Sequence, residues 1–72
     1  MKKIYRLEDL DCANCAAKME RGIQKIKGVH HVTISFLTQK MMIEAEDESF
    51  NHIMEQVIVI CKKVEPDCRI ML

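Results

Sequence analysis

Val32-Thr33-Ile34-Ser35-Phe36-Leu37-Thr38-Gln39-Lys40-Met41-Met42-Ile43-Glu44-Ala45 holds two alternating runs placed back to back. Val32, Ile34 and Phe36 share one side of an extended chain, with Thr33 and Ser35 on the other; Met41, Ile43 and Ala45 repeat the pattern after polar Thr38-Gln39-Lys40. The stretch reads as a hairpin with one buried face. Before it, Ala16, Met19, Ile23 and Ile26 recur at spacings of three and four, which predicts a helix over 15–27 with Gly28 as its C-terminal cap. After it, Phe50, Met54, Val57, Cys61 and Val64 are helically spaced. Acidic Glu46, Asp47 and Glu48 favour a helix start ahead of them, and Pro66 bars continuation. Outermost, Lys2 to Leu7 alternates, and Cys68, Ile70 and Leu72 alternate with Arg69 and Met71, so each end is a strand.

The order is βαββαβ. Two right-handed βαβ crossovers interleave into a four-stranded antiparallel sheet with both helices on one face, the ferredoxin-like α+β arrangement. In that topology the turn leaving the first strand and the turn entering the last share one end of the molecule. Leu10 to Cys15 is therefore expected beside Val64 to Cys68, with His30, His31 and His52 at the other end as surface or strand-end residues. No repeat or linker interrupts the pattern, and residues 1–72 read as one domain.

Size and charge exclude several functions. A chain of 72 residues buries only about 60% of its unfolded surface, enough for one thin core and not for a deep substrate cavity. Eleven basic residues balance eleven acidic ones and aromatics make up 4%, so neither a phosphate-neutralising stripe nor a stacking platform for nucleic acid exists. No apolar stretch approaches the roughly 20 residues that span a bilayer, and no export signal is visible. These readings predict a cytoplasmic, non-enzymatic monomer without membrane contact of its own. In a reducing compartment, a close cysteine pair points to metal or redox chemistry rather than to a disulfide framework.

Asp11-Cys12-Ala13-Asn14-Cys15 places one thiol in a turn and the other in the first turn of a helix, close enough to share one ion. Helix amides and the helix dipole favour negative charge there, which pre-forms the thiolates that bind soft metals. Two other readings compete: small buried cysteines, and a thioredoxin-like dithiol. The second fits poorly, because Pro66 falls too late in the chain and Ala13-Asn14 lacks the proline and aromatic residues familiar around redox pairs.

Leu7-Glu8-Asp9-Leu10-Asp11-Cys12-Ala13-Asn14-Cys15-Ala16-Ala17-Lys18-Met19-Glu20 resembles the heavy-metal-associated domain family. The resemblance implies a ferredoxin-like fold, metal held by Cys12 and Cys15, and a role as a soluble metallochaperone for Cu(I) or Zn(II), or as the cytosolic N-terminal domain of a metal-transporting P-type ATPase. Many members have Gly-Met before the motif. Here Asp9 can adopt the left-handed turn and Leu10 can pack beneath the loop.

Asp11 resembles the residue found before the first cysteine in the zinc, cadmium and lead branch, and Lys63-Val64-Glu65-Pro66-Asp67 is similar to the ending of that branch. Two thiolates suffice for Cu(I), whereas Zn(II) prefers about four ligands and accepts carboxylate oxygen. Asp11 is thus a candidate third ligand for Zn(II), Cd(II) or Pb(II), against the alternative of an exposed turn carboxylate. Cys61 and Cys68 fit core positions, although Cys68 lies near the loop and is a candidate extra thiolate. An open coordination shell suits handover to a metal-exchange partner or to membrane-transporter domains. A structural zinc site built from all four cysteines would instead leave the ion-free chain unfolded.

Overall fold

A computed structural model describes residues 1–71. Strand β1 spans Lys2–Glu8, helix α1 Ala13–Gln24, β2 Val29–Ser35, β3 Lys40–Ala45, α2 Phe50–Val64 and β4 Arg69–Met71. The strands form one antiparallel sheet in the order β2-β3-β1-β4, the ferredoxin-like topology. The expected place of Leu72 in the last strand lies outside the described residues.

Alternation sorts the sheet into a covered and an open face. Val32, Ile34, Met41, Ile43, Ala45 and Leu7 point inward and are buried with Met19 and Ile23 of α1 and with Phe50, Ile53, Val57 and Cys61 of α2. Ile4 and Met71, on the opposite side, are exposed. Lys3 pairs with inward-facing Ile43, and its ammonium lies 5.9 Å from the centroid of the Phe50 ring, where a cation is attracted to the ring face.

Besides the start of α1, two boundaries depart clearly from the periodicity. Helix α1 ends at Gln24, three residues early, and the chain continues in tighter turns: Lys25 N–H donates to Gly22 O, and Ile26 N–H to Ile23 O. A spacing of three suits such turns as well as a helix, so buried Ile26 preserved the apparent helical pattern. Gly28 is consequently not the cap. At φ 98° it turns the chain into β2, and a Cβ there would lie 2.9 Å from Ile53 Cδ1. Second, β2 begins at Val29 rather than Val32. A register shift between Val29 and His31 takes up one extra residue, so strict alternation fails across His30. Helix α2, by contrast, spans the residues its spacing predicts, with the acidic run ahead of it. Ser49 occupies the N-cap, no acidic residue stands in the first turn, and Glu46, Asp47 and Glu48 are exposed.

Candidate metal centre

Glu8 closes β1, and Asp9 reverses the chain at φ 61°, the left-handed region that Asp tolerates better than most residues. Leu10, only 1% exposed, anchors the turn from beneath. Asp11 then emerges exposed, and Cys12 takes the N-cap of α1 in an extended conformation. The Cys12 sulfur fills the role usually given to a Ser or Asp oxygen: Cys15 N–H donates to Sγ at 3.2 Å. This capping explains why α1 starts at Ala13, two residues earlier than its apolar spacing predicts. Both thiols end up half-buried at the tip of the molecule.

The two sulfurs differ in acidity. Hydrogen bonds from the Cys15 thiol and the Cys15 backbone N–H hold the Cys12 thiol below its ordinary value of 9.0. Cys15 is pushed above that value, first by its hydrogen bond to the Cys12 sulfur and then by burial. The pair therefore ionises first at Cys12. Iodoacetamide on the reduced, ion-free chain near pH 7.5 is expected to alkylate Cys12 severalfold faster than Cys15, because thiolate is the reacting species. Peptide mapping by mass spectrometry checks this, and equal rates would contradict the arrangement described.

A carboxylate also reaches the pair. Pro66 forces the preceding residue into extended backbone, and Glu65, at φ −142°, ends α2 as its C-cap. Its Oε2 lies 3.9 Å from Cys15 Sγ, across 50 residues of chain, and its charge acts on both thiols. The sequence reading takes Glu65 within the Lys63 to Asp67 ending and places that segment beside the loop, but does not name Glu65 as a residue of the site. The signal available was its position directly before the only proline.

The other candidates are placed differently. Asp11 lines a polar cleft with Asp9, Lys62, Pro66, Asp67 and Arg69. Cys68 is 2% exposed, with its thiol pushed up by burial, and burial raises Cys61 to about 12. Among the described residues, no three His, Cys, Asp or Glu side chains gather closely enough to hold an ion. The structure thus pairs Cys12 with Cys15 and sets Glu65 beside Cys15, while Asp11 and Cys68 lie in the neighbouring segments, and it closes no three-ligand set among the described residues. His30, His31 and His52 are exposed; His52 lines a cleft with Gly28 and Glu46, away from the cysteines. Met19, Met41 and Met54 are core residues.

A ferredoxin-like scaffold with a dithiol at an exposed helix start defines a small binding domain for soft metal ions. Comparison with known proteins identifies the lineage: residues 4–65 match the heavy-metal-associated domain, and the chain belongs to that family of non-catalytic metal-binding modules. The cadmium, zinc and cobalt-transporting ATPase of Bacillus subtilis (strain 168) is 30% identical over 66 residues, which is 92% of this chain and 9% of that protein. The chain spans 5% to 9% of the length of the first curated relatives it matches. Among solved structures, the N-terminal domain of ZntA in its apo form superposes with a TM-score of 0.73 at 27% identity, over 99% of this chain and 92% of that one. The CopZ metallochaperone gives a TM-score of 0.77 at 14% identity, over 99% and 100% of the two chains, which is a likeness of fold. Among the described residues, no helix is long and apolar enough to cross a membrane.

Proposed function

We propose that this domain captures a soft divalent ion, Zn(II), Cd(II) or Pb(II), and passes it on as the cytosolic metal-binding domain of a transporting P-type ATPase. Cys12 and Cys15 are the thiolate ligands. The observation that carries the divalent preference is a carboxylate beside the dithiol: Glu65 Oε2 stands 3.9 Å from Cys15 Sγ. Asp11, adjacent in sequence to Cys12, is the second acidic group able to add an oxygen donor. Zn(II) and Cd(II) gain from a third and fourth ligand, whereas two thiolates complete a Cu(I) site. Cys68 belongs to the core in this reading.

Transfer follows from the open shell. With two thiolates and one or two carboxylates at the surface, an incoming cysteine of a partner can join the ion before Cys12 or Cys15 leaves it. No step requires catalysis, and the ion is cargo.

Competition against a chromophoric chelator tests the metal preference. Asp11→Asn and Glu65→Gln are each expected to weaken Zn(II) binding about tenfold while leaving Cu(I) affinity in place, a loss typical of groups that complete or orient a metal shell. Unchanged Zn(II) affinity in the double variant would reduce the site to its two sulfurs and remove the basis for divalent selection.

A further inference from the structure

We propose that Gln39, in the turn between β2 and β3, is a positioning residue for the metal loop, a role that rests on the metal-binding reading above. The last ladder pair between β1 and β3 is Arg6↔Lys40. One residue beyond it, Leu7 N–H donates to the Gln39 carbonyl at 2.7 Å, and the main chains then part. The Gln39 side chain carries the pairing onward. Its Oε1 accepts from Leu10 N–H at 3.1 Å, and its Nε2 donates to Leu10 O at 2.6 Å and to Phe36 O at 2.8 Å. A side-chain amide thus mimics the donor and acceptor of a strand neighbour, at a residue 29 positions away in sequence.

This single residue ties down both ends of the reversal at Leu7 and Leu10. Leu10 is fixed a second time by burial, and Cys12 is fixed by its place at the N-cap of α1. Asp11 is the one residue left between these anchors. The Cys12 sulfur is therefore held in place before an ion arrives, and less ordering remains to be done on uptake. The backbone of Gln39 supports the same conclusion. It sits at φ 55°, in the left-handed region that glycine adopts without strain and glutamine disfavours. A glycine would relax this turn but would leave Leu10 without its partner.

Gln39→Gly separates the two effects, because it relieves the backbone while removing the clamp. In the ion-free chain, the Leu10 amide is expected to exchange with solvent at least about tenfold faster, with the β3 amides Met41 and Ile43 unchanged. Cd(II) affinity, read by chelator competition, is expected to fall about tenfold, as when a group orienting a metal ligand is lost. Gln39→Glu, which keeps an acceptor oxygen and loses the donor, is expected to shift both readouts in the same direction. Undiminished Leu10 protection would overturn the clamp, and Cd(II) affinity equal to the parent's would overturn its role in binding. A parent chain that takes up no Cd(II) would overturn the metal reading itself, an outcome distinct from a variant that matches a competent parent.

Discussion

Cys12→Ser and Cys15→Ser together are expected to abolish stoichiometric uptake of Zn(II) and Cd(II), while the ion-free protein melts as cooperatively as the parent. The two halves of this result have separate physical origins. A second donor on the same rigid turn acts at high effective concentration, which raises affinity by about 10²–10⁴ over one donor alone. Each single substitution is therefore expected to weaken binding by about that factor, and the double substitution leaves carboxylates without a thiolate. The scaffold depends little on these sulfurs, because both are half-buried at the surface and Cys15 only packs against the edge of a core that other residues fill. Serine at position 12 also remains a good N-cap, so α1 keeps its start. Isothermal titration and circular dichroism check the two halves, and retained uptake in the double variant would end the account. The pH dependence has a definite sign. Ions compete with protons for thiolates, and Cys15 holds its proton above the ordinary value of 9.0, so affinity falls as pH is lowered and uptake releases protons.

Ile43→Ala is expected to cause the largest loss of stability. Ile43 is fully buried in β3, an interior strand, between Lys3 of β1 and Val32 of β2. Truncating a fully buried Ile removes its transfer free energy and leaves a cavity that neighbours only partly fill, at a cost of roughly 2–5 kcal/mol. A domain of this size is stabilised by roughly 4–11 kcal/mol in total, so the substitution removes a large share. In domains of this size each kcal/mol lowers Tm by roughly 4–8 °C, so the midpoint should fall by at least about 8 °C. Thermal melting of the ion-free chain reads this directly, and a shift below about 2 °C would contradict the packing described. Added Cd(II) is expected to raise the midpoint of both parent and Ile43→Ala, because a ligand that binds only the folded state stabilises it by mass action. The site is remote from Ile43, so the gain should be similar in both.

The order of elements, the hairpin of Val32 to Ala45, the inward set headed by Met41, Ile43 and Ala45, and the turn that carries Cys12 and Cys15 were all legible in the residues themselves. So was the meeting of Leu10 to Cys15 with the segment after α2, since right-handed crossovers leave few ways to thread βαββαβ. These features depend on side-chain period, chirality and turn chemistry, which act over a dozen residues or fewer. The errors were also local. An i+3 turn imitates the end of a helix, as at Ile26, and one bulged residue hides the start of a strand, as at His30.

Only the tertiary structure brought Glu65 to Cys15 and Gln39 to Leu10, contacts that close over 50 and 29 residues. No periodicity marks such a residue, because an exposed Glu and an exposed Gln look the same in a sequence as these two. What distinguishes them is the path of the backbone around them: Pro66 straightens the chain at Glu65, and a left-handed turn aims Gln39 back along β1. Period and chirality determine where each segment lies, whereas the meeting of two side chains depends on the rotations of every segment between them.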